Sequence, residues 1–349
     1  MQETRLQPYT DSTDLLRTLP ESGDQLRSRL DEEGYVYLRG VLPPSLIADI
    51  RAELLAILSD AGWIRRDTAR DDAIADLSNF VAEPDPAFLA VFYRELSLKS
   101  INALAHRPEL VAIFEQVFQD DVLVHPRIIT RNMFPQKEAY TTPAHQDHPL
   151  VQGPKDHYAA WIPLGDCPEP MGGYSLAPRT HKSGYFRIEP ALGIGQMEIV
   201  DLPNEWVHSP TRMGDVVIHH AMLVHRGVPN RSDAIRLSVD CRYQRLRDPV
   251  VDRALIPSLQ QSTWEELYRG WEGDDYKYYW RDLDLEVVPF DLTPFDERDN
   301  RAIELGFKGD PRARSALIGV IHRHRDEELR KRATEALAHL DRVETAQAT

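Results

Sequence analysis

Between Val122 and Tyr243 the chain is written in short runs of β-branched and aromatic residues, separated by Gly and Pro. Val122-Leu123-Val124-His125 and Ile128-Ile129-Thr130-Arg131-Asn132-Met133-Phe134 open the series, and Pro bounds them. Runs of this kind and length read as strands. Many even-sized strands in succession predict a closed or double-sheet β-architecture. A jelly roll, the cupin-like double-stranded β-helix, is the expected form, because its narrow interior can gather side chains from two strands and the loop between them. The flanks read differently. Pro43-Pro44 can start a helix, since Pro fits a first helical turn, and Ile47, Ile50, Leu54 and Leu58 follow at helical spacing. Residues 60 to 85 hold many Asp and read as loop; Phe88 to Val117 reads as helix broken near Pro108. Helical spacing returns at Trp264, Leu267, Tyr268 and Trp271. In the tail, Ala316, Leu317, Val320 and Ile321 make one stripe, and Leu329, Ala333, Ala336, Leu337 and Leu340 another. These predict two amphipathic helices packed on the β-core, and they are candidates for a homodimer contact. The expected division is an N-terminal helical region over 1–120, a jelly-roll core over 121–250 and a C-terminal helical extension over 251–349.

The 349 residues carry 56 acidic against 41 basic side chains, a formal charge of −15. An acidic surface repels phosphate backbones, so nucleic acid is not an expected partner. No run of apolar residues is long enough to span a bilayer, so no membrane segment is expected. The polar N-terminus, MQETRLQPYTDSTDLL, lacks an apolar signal core. Cys167 and Cys241 cannot make a disulfide framework and read as buried thiols in a reducing cytoplasm.

His145-Gln146-Asp147 sets an imidazole and a carboxylate two residues apart, a spacing that points both the same way from an extended backbone. A metal site would need a third ligand. His208, His219, His220 and His225 compete for that place. Alternation after Gly214 puts Asp215, Val217 and His219 on one face and Val216, Ile218 and His220 on the other, and periodicity does not choose among them. Two His and one carboxylate on one side of a metal leave its other side open, which is the ligand set of non-heme Fe(II) oxygenases. Arg236 shares a strand face with Ser238, Asp240 and Arg242. It could pair internally with Asp240, or grip a carboxylate with its planar fork.

The surroundings of these residues resemble the phytanoyl-CoA dioxygenase family of Fe(II)/2-oxoglutarate oxygenases. The resemblance rests on Trp161-Ile162-Pro163-Leu164-Gly165-Asp166, on Gly172-Gly173-Tyr174-Ser175-Leu176-Ala177-Pro178 with His181, on Gly214-Asp215, and on Pro229-Asn230-Arg231-Ser232 after His225. Asp31 to Leu42 looks like the family's opening strand. The resemblance covers about residues 25 to 250. Departures are Met171-Gly172 for the family's Asn-Gly, Arg179-Thr180 for Gly-Ser, and Arg226-Gly227 for Gly-Ser. The last removes a hydroxyl that often helps to hold 2-oxoglutarate.

The resemblance implies His145, Asp147 and His225 as the metal triad and Arg236, eleven residues after His225, as the 2-oxoglutarate-binding Arg. It implies Asn132 as an amide beside the co-substrate and Trp161 as an inner-barrel residue at the pocket. Tyr140, Thr141 and Thr142 are expected to border the site, and His148 to His157 to form a lid loop over it. Fe(II), 2-oxoglutarate and O2 are the implied cofactors. The implied reaction is oxidation of a small-molecule substrate, by default hydroxylation, with release of succinate and CO2. Asp147 argues against halogenation, for which relatives replace this carboxylate with a small residue. Two readings of other classes remain beside it: an inactive jelly-roll scaffold acting through its C-terminal helices, and a cupin-like isomerase or hydrolase using another divalent metal, in which Arg236 has no clear task.

Overall fold

A computed structural model describes residues 2–6, 10–11, 19–192, 197–324 and 326–348. Nine strands build the core: β1 Tyr35–Arg39, β2 Val122–Val124, β3 Ile129–Met133, β4 Tyr158–Pro163, β5 Gly173–Leu176, β6 Glu205–His208, β7 Val216–His220, β8 His225–Val228 and β9 Arg236–Arg245. They form two sheets. The larger runs β1-β7-β4-β9-β2, with β3 also paired to β9 and Thr10–Asp11 added at the β1 edge; the smaller runs β6-β5-β8, with Gln2–Arg5 added beside β6. Apart from the two N-terminal additions, which are parallel, all these pairings are antiparallel. The fold is a jelly roll flanked by helices.

Strand alternation sorts the side chains of the larger sheet. Trp161, Val217 and Tyr37 point inward and meet Leu176 and Val207 of the smaller sheet. Val36, Leu38, Ala160, Ile162, Val216 and Ile218 point outward into the main apolar core, shared with the N-terminal helices. β9 is the informative strand, because nearly all of it is buried. Its outer residues, Leu237, Val239, Cys241 and Tyr243, are apolar or nearly so and join the helix-covered core. Its inner residues are Arg236, Ser238, Asp240 and Arg242. Buried charges persist only when paired or serving a site, so the barrel interior is polar by construction.

Five helices cover the outer face: α1 Leu19–Glu33, α2 Pro44–Asp60, α3 Pro86–Leu96, α4 Lys99–Ala105 and α5 Pro108–Phe118. Pro44, Pro86 and Pro108 each stand in a first turn. The predicted stripe Ile47, Ile50, Leu54 and Leu58 is buried. Residues 60 to 85, expected as loop, are more ordered: Ile64 bridges Ala75, Ile74 bridges Ala234, and Trp63 and Ile64 are buried. Gly172 enters β5 at φ 74°, and a Cβ there would lie 2.3 Å from the Val228 carbonyl oxygen of β8. Only Gly fits that turn.

The tail corrects one expectation. Helices α7 Asp296–Phe307, α8 Arg314–Arg323 and α9 Glu327–Ala348 close a core of their own around Ile303, Leu305, Ala316, Leu317, Val320, Ala333 and Ala336. The two predicted stripes therefore face each other and α7, not the β-core. Among the described residues, no helix is long and apolar enough to cross a membrane.

Candidate metal centre

His145, Asp147 and His225 lie together, with one ligand atom from each inside a span of 4.8 Å, and all three are buried. Backbone pairing sets this meeting. The His145 N–H donates to the His225 carbonyl at 2.9 Å and the His225 N–H returns the bond at 3.0 Å. Gln146 points the opposite way and fastens the segment. Its amide donates to the carbonyls of Gly184 at 2.9 Å and Met222 at 2.7 Å and accepts from the Phe186 N–H. Asp147 has turned into helical dihedrals, φ −72° and ψ −34°, and its carbonyl accepts from the N–H groups of Leu150 and Val151, opening a one-turn helix, α6, His148–Val151. The extended backbone expected across the tripeptide ends at Gln146.

The tautomers follow from the partners. The His145 Nδ1 lies 2.8 Å from the Pro143 carbonyl oxygen and the His225 Nδ1 lies 2.9 Å from that of Leu223. A carbonyl only accepts, so each proton sits on Nδ1 and each Nε2 lone pair is free to ligate. Those Nε2 atoms stand 3.6 Å and 3.8 Å from Asp147 Oδ1. Burial, with the neighbouring rings of His145 and His219, holds His225 well below the usual imidazole range, so it is neutral. Burial alone would raise the Asp147 carboxyl; the Arg242 guanidinium and the His145 contact outweigh it and hold the group well below the carboxylate range. Arg242 donates from Nε and Nη2 to Asp147 Oδ2 at 3.2 Å and 3.0 Å. That leaves Oδ1 turned to the two imidazoles. Two imidazoles with Nε2 turned inward and an ionised carboxylate converge with their outer atoms already tethered, and this donor set fits a divalent iron.

A cavity opens on the triad and runs to Arg236; Thr142, Trp161, Tyr174, Gly227, Arg131 and Asp240 line the rest of it. Arg236 is buried, donates from Nη1 to the Gly173 carbonyl, and leaves Nε without a hydrogen-bond partner among the described residues. Asp240, its expected alternative partner, pairs instead with Arg131 at 3.0 Å. A dicarboxylate reaching from metal to guanidinium matches an orphaned, buried donor, so these residues fit 2-oxoglutarate as well.

Trp161 lines this cavity, stacked on Tyr174 at 5.2 Å with the Arg236 Cζ 5.9 Å from its ring. Asn132 does not reach it. Its Nδ2 donates to the buried Glu95 of α3 at 2.7 Å, because it faces the helix side of β3. Its neighbour Arg131 faces inward instead. His219 stands behind the triad, its ring centre 4.3 Å from that of His225 and its Nε2 2.8 Å from the Tyr174 hydroxyl. His220 faces away toward Asp156, and His208 pairs with Glu169. Thr142 borders the cavity, whereas the Tyr140 ring packs on Phe80. Arg226 lies over the Trp206 ring at 4.0 Å. The expected lid opens on a buried helical turn: His148, Pro149 and Val151 are buried in α6. Sequence reasoning did not single out Arg242 as the partner of Asp147. The charged alternation of β9 was the signal that contained it.

A profile of the phytanoyl-CoA dioxygenase (PhyH) family matches residues 30–238. Two curated proteins, both 1-deoxypentalenic acid 11-beta-hydroxylases, are similar over 68% of this chain. The one from Streptomyces exfoliatus is 28% identical over 86% of its length, and the one from Streptomyces arenae is 29% identical over 84%. Among solved structures, the epimerase SnoN of nogalamycin biosynthesis, in complex with Fe3+, alpha ketoglutarate and nogalamycin RO, aligns at TM-score 0.49 and 22% identity, over 66% of this chain and 86% of its own. The non-heme monooxygenase ThoJ aligns at TM-score 0.48 and 15% identity, over 90% of this chain and 99% of its own.

Proposed function

The chain belongs to the phytanoyl-CoA dioxygenase family, and from that premise we propose that His145, Asp147 and His225 hold its Fe(II) and that Arg236 receives the distal carboxylate of 2-oxoglutarate. The protein is an Fe(II)/2-oxoglutarate-dependent dioxygenase. The observation that carries the residue assignment is the single cavity with the convergent triad at one end and the unpartnered Arg236 Nε at the other. Bound iron would supply the activation of O2 that couples oxidation of 2-oxoglutarate to oxidation of the substrate, with succinate and CO2 as co-products. The chain's own residues do the rest. Pro143 and Leu223 fix the ring orientations and Arg242 fixes the carboxylate. Trp161 and Tyr174 wall the co-substrate end with apolar surface that keeps water out. His219 stays neutral, lowered to about 4 by burial, so it adds no second positive charge behind the metal.

The substrate in this reading is a small natural-product intermediate, by default hydroxylated. The support is the similarity to two proteins named as hydroxylases of 1-deoxypentalenic acid. Residues 121–250 act as the catalytic core, completed by β1 Tyr35–Arg39; the helices of 1–120 cover its outer face, and those of 251–349 include a bundle with a core of its own. Two buried, unpaired cysteines fit a reducing compartment such as the cytoplasm. A homodimer through the C-terminal bundle, whose Phe307 is exposed, is a separate part of the proposal, checked by sedimentation.

The test is anaerobic addition of Fe(II) and then 2-oxoglutarate, followed by O2 and measurement of succinate. Wild-type protein should bind both and release succinate. Asp147→Ala should lose iron binding and turnover together. Full activity in that variant, with loss in His219→Ala, would refute the triad assignment.

A further inference from the structure

A second cavity meets the metal centre from the other side. It shares Asp147 and Arg131 with the co-substrate cavity, and its volume is about 90 Å3. One part of its wall is apolar, with Phe88 and Phe92 of α3 and Val151 of α6; another carries the guanidiniums of Arg127, Arg242 and Arg298. Arg298 lies well outside the residues that match the family. Arg298 belongs to the C-terminal bundle, in the first turn of α7.

The placement of Arg298 is fixed by named contacts. The Gln152 amide, just after α6, donates to the Asp291 carbonyl at 2.5 Å and accepts from the Asp291 N–H at 2.8 Å. This pins the segment leading into α7 beside the turn that begins at Asp147. Arg298 is 2% exposed, with its Cζ 4.5 Å from the Phe295 ring. Asp299 Oδ1 takes its Nε and Nη2, and a guanidinium has five N–H donors. Deeper in the same wall, Arg242 is 3% exposed and its Nη1 has no hydrogen-bond partner among the described residues. Arg131, between the two cavities, likewise leaves Nη1 unpartnered. Buried orphan donors are uncommon and mark the place of an acceptor that completes them. Four guanidiniums line the charged wall; Arg131 is paired with Asp240 and Arg298 with Asp299, so the donors left over are the Nη1 groups of Arg242 and Arg131, which have no hydrogen-bond partner among the described residues.

We propose that this cavity is the substrate site, that its ligand is an apolar molecule bearing one carboxylate, and that Arg298 of the C-terminal bundle binds that carboxylate together with Arg242. The inference rests on the proposed function for its neighbouring metal, but its chemistry is independent of turnover. The apolar wall takes the carbon skeleton, the guanidiniums take the anion, and the shared Asp147 puts the skeleton beside the metal. The C-terminal extension is then a part of the substrate site, adding a guanidinium to those of the jelly roll.

Calorimetric binding tests this without catalysis. The protein is held anaerobically with Mn(II) and saturating 2-oxoglutarate, so that the Arg236 cavity is filled. The probes are 1-deoxypentalenic acid and decanoic acid, each beside its methyl ester. The acids should bind about ten- to hundredfold more tightly than their esters, as one charge-assisted contact predicts. Arg298→Met should remove that preference and leave ester binding unchanged; Arg298→Lys should keep part of it. Retained 2-oxoglutarate binding shows that each variant is folded. Equal binding of acid and ester, no binding of either, or an acid preference indifferent to Arg298 would overturn the proposal. So would loss of the preference in Arg312→Met, since Arg312 lines a different cleft near Thr142. If Mn(II) and 2-oxoglutarate fail to bind, the functional reading fails; the acid–ester comparison, repeated without them, still decides the substrate site.

Discussion

Arg236→Lys separates recognition of the co-substrate from binding of the metal. Arg236 is buried on the inner face of β9 and its Nη1 is committed to the Gly173 carbonyl. Its Nε has no hydrogen-bond partner among the described residues, so the guanidinium keeps an unused edge for a second acceptor. A carboxylate arriving there meets donors already oriented in one plane. Lysine presents one ammonium on a flexible stem. It can serve Gly173 or the carboxylate, but it cannot reproduce both contacts in the same plane. The difference is about one charge-assisted hydrogen bond, about 1.5–3 kcal/mol, which is roughly ten- to hundredfold in affinity. The assay is a titration of 2-oxoglutarate against succinate release for both proteins, beside a Mn(II)-binding measurement. The 2-oxoglutarate requirement should rise by that factor while metal binding stays within about twofold, since the triad is tethered by Pro143, Leu223 and Arg242 and second-shell losses are what weaken metal affinity. An unchanged requirement would show that another side chain holds the carboxylate. Arg131, which lines the same cavity with an unpartnered Nη1, would be that residue.

Two further outcomes follow from groups away from the metal. Glu95 is fully buried, and burial pushes its carboxyl up from 4.5 to about 7 against the bonds from Thr130 and Asn132. The folded state therefore holds this proton more tightly than the unfolded one. The stabilisation is complete below pH 4.5 and is lost as pH rises through about 7. Glu95→Gln should accordingly gain about 3 kcal/mol on wild type between pH 4.5 and pH 8, read by urea unfolding; a pH-independent difference would contradict it. Leu317→Ala should cost about 2–5 kcal/mol, because the side chain is fully buried in the C-terminal helical core, yet leave Mn(II) and 2-oxoglutarate affinities unchanged. Weakened metal binding in that variant would show that the bundle supports the triad itself.

Much of the architecture was legible in local pattern. The strand runs after Val122, the helix opening at Pro44 and the buried stripe of Ile47, Ile50, Leu54 and Leu58 are properties of short sequence windows. The alternation of β9 was visible too, with Arg236, Ser238, Asp240 and Arg242 on one face. The spacing in His145-Gln146-Asp147 marked a candidate pair of ligands, and resemblance to a family chose His225 from four histidines. Where the sequence reading went astray, the missing information was always a partner distant in the chain. Asn132 and Arg131 are adjacent and both polar. Which of them enters the barrel depends on the face of β3 that Glu95 of α3 covers. The tail helices carry stripes that would suit a sheet as well as each other, and only their packing with α7 decides between these.

The sequence by itself determined the element types, the polar inner face of β9 and the ligand chemistry available, because each depends on residue identity and periodicity. The tertiary structure decided what those groups meet. It placed Arg242 on the outer oxygen of Asp147 and left Nε of Arg236 without a hydrogen-bond partner among the described residues. It also carried Arg298 from the C-terminal bundle to the wall beside Asp147. Such meetings join residues tens to more than a hundred positions apart. Their energies arise from desolvation and charge in a shared interior, which no local window of the chain contains.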